Sequence, residues 1–460
     1  MSSSDSIRDH IDTHRDAWLD ELNDFLRIPS VSTDSKRADQ VAVAADWLAE
    51  KLRDAGCGEV EIWPTPGHPV VYGAWRGAGE APTLLVYGHY DVQPEEPVEL
   101  WDTPPFEPTI RNGKLFARGS ADDKGQLYIH VKALESWLQT TGACPVNVVF
   151  LIEGEEEVGS PNIEGAVLEH QDRLECDAVM ISDTIMFAAG LPSITYSLRG
   201  LAYMQLDLTG AKGDLHSGSF GGAVVNPAEA LARMIASCRD PETGEITIAG
   251  FYDDVVPLTE AEREQWKTLP FDEEQYRADL GVDALLEETD YGVLERTWAR
   301  PTFEVNGFVS GFTGEGSKTV LPAKAMAKIS MRLVANQDPD TIMDAAETHL
   351  RAVTPPGVSL EITRMQGGTP WLTPRDHPVM QAAGRAMQRG FGAEPVFIRE
   401  GGSIPLVGVL EDLFDVPSVL MGIGLPDENA HAPNENLDID TFYAGIASAA
   451  FFFEELAKVE

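Results

Sequence analysis

The chain has 460 residues, 43% apolar and 24% charged, which makes it globular and too long for one ordinary core. Its formal charge of −41, from 75 acidic and 34 basic residues, disfavours nucleic acid and anionic membrane as partners, because neutralising phosphate takes clustered Lys and Arg. No apolar run is long enough to span a bilayer, and the polar start MSSSDSIRDHIDTHRD lacks the basic and apolar regions of a signal peptide. A cytoplasmic protein is the expectation.

Cys57, Cys144, Cys176 and Cys238 are scattered with no CxxC pair, as reduced and mostly buried thiols would be. Any metal must therefore take histidine and carboxylate. The acids are spread through the chain rather than gathered in a tail, and apolar periodicity persists throughout, against disorder.

In chain order, residues 5–28 and 37–55 read as amphipathic helices, the first ended by Pro29 and the second by Gly56. Strands are expected near 59–63, 70–76 and 83–88, followed by a Pro- and Glu-rich loop over 92–110. A helix at 125–139 and buried strands at 146–153 and 177–182 complete an α/β pattern with a largely parallel sheet. The character changes at 193–209, which alternates as half-buried strands do. Then come a helix at 226–238, an acidic stretch of weak periodicity at 240–300, strands at 303–311 and 324–334, a helix at 338–353 and a strand at 358–364. The α/β pattern resumes with helix 377–390, strand 394–399, helix 404–412, strand 416–421 and helix 439–457. The expected fold is an α/β catalytic domain in two pieces, residues 1–198 and 367–460, with a mostly parallel mixed sheet flanked by helices. An α+β domain, residues 199–366, is inserted between them.

The chemistry gathers where strands end. Residues 83–91, TLLVYGHYD, run apolar into Gly88 and present His89 and Asp91. RGSADDKG carries Asp122, EGEEEVGS carries Glu155, Glu156 and Glu157, ISDT carries Asp183, and HAPNE carries His431. Each alone is a polar loop in an acidic chain. In this reading all follow strands of one sheet, so they can converge beyond its carboxyl edge. Two histidines with several carboxylates suit zinc, manganese or cobalt. Two ions about 3.5–4 Å apart need a bridging carboxylate, which Asp122 can supply. Glu156 and Glu157 can divide two roles, one toward water and one onto metal, and Asp91 can orient the His89 imidazole.

These motifs, together with DLHSG (214–218), SKTVLPAKA (317–325) and REGGSIP (399–405), resemble the dinuclear zinc metallopeptidases of the carnosinase and cytosolic non-specific dipeptidase type. That group sits within the wider aminoacylase–carboxypeptidase family. The resemblance covers nearly the whole chain in order. It implies that His89 and Asp183 hold one metal, Glu157 and His431 the other, with Asp122 bridging, Asp91 supporting His89 and Glu156 as the catalytic base acting on a metal-bridging water. It implies a cis Asp122–Asp123 peptide and an inserted domain that serves as lid and homodimer interface. His216 would reach the partner subunit's active site, Arg332 would bind the substrate carboxylate, and Thr319 and Ser403 would line the substrate site.

Within the family that the chain resembles, Asp at position 183 and an insert of this length go with dipeptidases, so the resemblance implies dipeptides or short peptides as substrates. The alternatives are an N-acyl-amino-acid deacylase of the acetylornithine or succinyl-diaminopimelate type, and a non-catalytic ligand-binding homologue.

The net charge carries a prediction of its own. Self-repulsion on this scale destabilises a compact state at low salt, and salt screens it. If the composition reflects a salt-rich cytoplasm, the melting temperature rises with added KCl; a flat or falling trend contradicts that reading.

Overall fold

Four apolar-rich runs, Thr83–His89, Asn147–Glu153, Ala178–Ile181 and Ser418–Leu420, form strands buried along nearly their whole length. Burial on both faces is what a parallel sheet covered by helices requires. They are parallel neighbours in the order Asn147–Glu153, Thr83–His89, Ala178–Ile181, Ser418–Leu420. Antiparallel strands extend the sheet on both sides: Val70–Trp75 and then Glu59–Trp63 beyond Asn147–Glu153, and Ser193–Leu198 beyond Ser418–Leu420.

A computed structural model describes residues 3–365, 367–402 and 404–459. Ser403, expected at the substrate site, lies outside the described residues. The chain divides into two compact units, Met1–Tyr196 with Thr373–Ile398 and Val409–Glu460, and Ser197–Leu372 with Arg399–Gly408. No helix among the described residues is long and apolar enough to cross a membrane.

In the first unit, helices Ser3–Leu26, Ala38–Asp54, Lys124–Thr141, Pro378–Phe391 and Ile439–Leu456 flank the sheet. Lys124–Thr141 and Ile439–Leu456 are buried over most of their length, and Trp137 Nε1 on the first donates to the Ala450 carbonyl on the second at 2.8 Å. Lys132 is buried and pairs with Glu21 at 2.5 Å and Glu135 at 2.6 Å, which keeps its charge compensated.

Three sequence readings need correction. Ser193–Leu198 was expected to be half-buried, yet all six residues are buried, and Ser193 Oγ donates to the Leu191 carbonyl. Alternation therefore marks polar groups with local partners here, not a wet face. The expected loop 92–110 ends in a hairpin, Thr109–Arg111 with Lys114–Phe116, turned by Asn112 and Gly113 at positive φ of 52° and 80°. That hairpin pairs with Asn436–Asp438 in a separate three-stranded sheet. Asp122 therefore does not follow a strand of the main sheet; it sits between this small sheet and helix Lys124–Thr141.

The second unit is built on an antiparallel sheet in the order Glu304–Ser310, Lys324–Leu333, Gly200–Thr209, Ser359–Arg364. Gly200–Thr209 alternates buried and half-buried, and Ala202, Met204, Leu206 and Leu208 form its inner face. Met234 of helix Pro227–Ala236 and Ile342, Ala346 and Leu350 of helix Pro339–Val353 join that core. The acidic stretch 240–300 holds short helices, Glu260–Lys267, Glu273–Asp279 and Val293–Ala299. They are fixed by caps more than by an apolar stripe, the first by a Thr259–Glu262 capping box. Residues 399–408, expected with the catalytic pieces, cluster with the second unit. There Arg399 pairs with Glu262, and the Gly401 carbonyl accepts Arg199 Nε at 3.3 Å.

Candidate metal centre

Because the four central strands are parallel, their carboxyl ends point the same way. His89 is the last residue of its strand, Asp183 follows Ile181 by two positions, and Glu156 and Glu157 form a short 3₁₀ turn just past Glu153. The His89 backbone N–H donates to Asp123 Oδ2 at 3.1 Å. Glycine at 88 permits this approach, since a Cβ there would stand 2.7 Å from that oxygen. His89 Nδ1 lies 3.1 Å from the Asp91 carbonyl, so it carries the proton and donates there. Its Nε2 then faces Asp122 Oδ1 at 3.0 Å and Asp183 Oδ2 at 3.7 Å.

Asp122 is shared. Its other oxygen, Oδ2, is 2.8 Å from His431 Nε2, which also lies 3.2 Å from Glu157 Oε2. The Asp122–Asp123 peptide is cis. Among the described residues, two groups thus bring their ligand atoms within 4.8 Å of one another: His89, Asp122 and Asp183, and Asp122, Glu157 and His431.

The three consecutive glutamates separate by partner. Glu155 Oε2 accepts Asn162 Nδ2 at 2.7 Å. Glu157 accepts the Gln93 backbone N–H at 3.1 Å and its side-chain amide at 2.7 Å while facing His431. Glu156 makes neither contact. Asp91, fully buried, accepts the backbone N–H of Glu156 at 3.3 Å and of Glu157 at 3.1 Å, and its carboxylate also lies 3.4 Å from His89 Nδ1.

The electrostatics of this cluster ask for positive charge. Burial and then Asp122 push the Asp183 carboxyl well above its ordinary range. Burial opposes ionisation of Asp122, but its hydrogen bonds to His431 and His89 win and hold it low. Hydrogen bonds to Asp122 and Glu157 push His431 up to about 10. The acids thus draw protons onto the histidines, and a divalent cation supplies the same charge more compactly. A nitrogen–oxygen donor set of this kind fits zinc, manganese or cobalt. Burial pushes the Glu156 carboxyl up to about 7; His89 opposes this, and Glu157 and Asp122 add to it.

Residues 85–455 match the family described as Peptidase family M20/M25/M40. The chain belongs to this peptidase family. It is 33% identical to the Cys-Gly metallodipeptidase dug1 of Schizosaccharomyces pombe, covering 99% of each chain. It is 31% identical to the Beta-Ala-His dipeptidase of Homo sapiens, over 99% of this chain and 93% of that one. Among solved structures, human carnosine dipeptidase 1 superposes with a TM-score of 0.80 at 30% identity, over 100% of this chain and 99% of that one. The M20 family metallo-carboxypeptidase Sso-CP2 from Sulfolobus solfataricus gives 0.83 at 35% identity, over 96% and 99%. The fold of this M20 peptidase is the expected α/β class with a mostly parallel mixed sheet flanked by helices.

The other expected site residues lie in the second unit. His216 is exposed and pairs opposite Val320 in a two-stranded ribbon, while the exposed Thr319 accepts the Ser217 N–H on its carbonyl at 3.1 Å. His216 Nδ1 accepts the Gly218 N–H at 3.0 Å, which leaves Nε2 as the protonated nitrogen. Arg332 is half-buried on Lys324–Leu333, opposite Leu201.

Sequence reasoning assigned no role to Gln93, Arg118 or Glu435, although two of them stand in motifs it quoted. In an acidic chain a turn glutamate reads as solvated, and only the buried donors around Glu435 mark it otherwise.

Asp91→Ala removes no assigned ligand and keeps the main-chain carbonyl that His89 Nδ1 meets, but it takes away the carboxylate 3.4 Å from that nitrogen and the acceptor of the Glu156 and Glu157 N–H groups. Loss of such an outer partner costs about 10–100-fold in metal affinity or activity. Metal titration and turnover of Asp91→Ala are both expected to fall by that order; wild-type values in both would refute the role.

Proposed function

We propose that this M20 peptidase hydrolyses the peptide bond of dipeptides or short peptides at a centre for two divalent ions. The observation that carries the reading is Asp122, shared between the His89–Asp183 and Glu157–His431 groups with one oxygen toward each histidine. In this assignment His89 and Asp183 hold one ion, Glu157 and His431 the other, and Asp122 both. Zinc is the ion inferred, with manganese and cobalt compatible with the same donors. Bound there, two ions would polarise the scissile carbonyl and lower the pKa of the attacking water.

The chain's own residues supply the proton transfers. Glu156 takes the proton as the water oxygen bonds to the carbonyl carbon, then delivers it to the amine as the C–N bond breaks. Asp91 holds the Glu156 backbone in place. His216, with its proton on Nε2, is a hydrogen-bond donor suited to the developing oxyanion. Arg332 offers a planar fork for the substrate carboxylate, and Thr319 and Ser403 complete the assigned substrate residues.

The inserted domain, 199–366, is inferred to be lid and homodimer interface, with His216 acting in the partner's site. Val305, Phe308 and Val309, exposed on the edge strand Glu304–Ser310, support a partner-covered face. A salt-rich cytoplasm is the inferred compartment. The four cysteines are unpaired, and burial pushes the Cys57, Cys144 and Cys238 thiols up to about 12, as inert reduced thiols require.

Glu156→Gln keeps the ligands but loses the base, so turnover is expected to vanish while two metals per chain remain; an active variant with full metal content refutes the assignment. Mixing a His216→Ala variant with an inactive His89→Ala variant is expected to restore part of the activity, because mixed dimers regain one intact site. No recovery on mixing refutes the shared site. A panel of dipeptides, short peptides and N-acetyl and N-succinyl amino acids separates the readings: turnover confined to the acylated amino acids would make the protein a deacylase instead.

A further inference from the structure

The assigned ligands of the two-ion centre sit at a strand end and on turns far apart in sequence, and one buried carboxylate outside the ligand set ties two of those segments together. Glu435 stands four positions after His431 and is 0% exposed. Its Oε2 accepts Arg118 Nη1 at 2.7 Å and the Gly119 backbone N–H at 3.0 Å. Its Oε1 accepts the backbone N–H of Ala121 at 2.9 Å and of Asp122 at 3.1 Å. Arg118 in turn donates Nη2 to the Pro94 carbonyl at 3.0 Å, which brings in the segment that follows His89 and Asp91. The backbone continues the link, with the Glu435 carbonyl accepting the Ala117 N–H at 3.1 Å and Asn436–Asp438 pairing with Lys114–Phe116.

The segment carrying His431 has no helix or strand of its own, and both His431 and Asn434 hold positive φ, 58° and 62°. Backbone in that region is unfavourable for residues other than glycine and persists where its surroundings over-determine it. Glu435 supplies that constraint at one end of the segment while gripping the amide of Asp122 itself.

We propose that Glu435 is a positioning residue for the metal centre, fixing the shared acid Asp122 against the loop that presents His431. The proposal rests on the two-ion reading above. Glu435 acts through the backbone of residues 119–122 and through Arg118. Glutamine in its place replaces one accepting oxygen by an amide donor, which meets Arg118 and Gly119 or Ala121 and Asp122 donor to donor.

The test is equilibrium zinc binding by the metal-stripped full chain, in competition with a chromogenic chelator. Glu435→Gln is expected to bind zinc about 10–100-fold more weakly than wild type. Glu262→Gln is the control: it breaks another buried Glu–Arg pair, with Arg399 in the second unit, and is expected to retain wild-type zinc affinity. Wild-type affinity in folded Glu435→Gln, or an equal loss in Glu262→Gln, overturns the proposal. If Glu435→Gln does not fold, Glu435→Asp keeps the charge but is one methylene short of its four donors; weaker zinc binding supports the role and wild-type affinity overturns it. A wild-type chain that binds no zinc and cleaves no dipeptide refutes the functional reading instead.

Discussion

The Asp122 carboxylate meets His89 on one oxygen at 3.0 Å and His431 on the other at 2.8 Å. Holding that one acid between two imidazoles sets demands on the rest of the first unit. The strands that end near it must be parallel, so that His89, the Glu156–Glu157 turn and Asp183 leave the sheet on the same side. Residue 88 must lack a side chain, so that Asp123 can reach the His89 amide. Several carboxylates brought this close repel one another, and the cluster settles by charging its histidines. Divalent cations would resolve the same repulsion, and that is the physical ground for reading the arrangement as a candidate two-ion site.

Much of this is visible in the sequence because the chemistry sits at strand ends. A buried apolar run that stops at a polar cluster marks both the strand and the loop that follows, and His89, Glu157 and Asp183 are found that way. Asp122 is the instructive exception. It lies beside His89 and His431, but where the sequence reading attaches it to the main sheet, it follows a small three-stranded sheet whose first strand, Thr109–Arg111, begins inside the stretch read as loop. Gln93, Arg118 and Glu435 escaped because their importance lies in burial and in backbone partners, which no residue spacing encodes. The short helices of 240–300 escaped because caps, not an apolar stripe, fix them. The clustering of 399–408 with the second unit depends on single pairs such as Arg399 with Glu262, and these join positions 137 residues apart.

The second unit brings a different kind of chemistry. Its antiparallel sheet buries one face against two helices and carries Arg332 on a half-buried position, while a two-stranded ribbon carries the exposed His216, whose Nδ1 accepts the Gly218 N–H. A guanidinium and an imidazole N–H are the donors that the proposed contacts to a substrate carboxylate and an oxyanion require.

The central claim is that five side chains of this chain hold two ions through one shared acid. Equilibrium titration of the metal-stripped protein with zinc, with stoichiometry counted for wild type, His431→Ala and Asp122→Ala, tests it most directly. The account predicts two tight equivalents in wild type, loss of one in His431→Ala, and weakening of both in Asp122→Ala. A single equivalent in wild type, or stoichiometry and affinity untouched by Asp122→Ala, would contradict it.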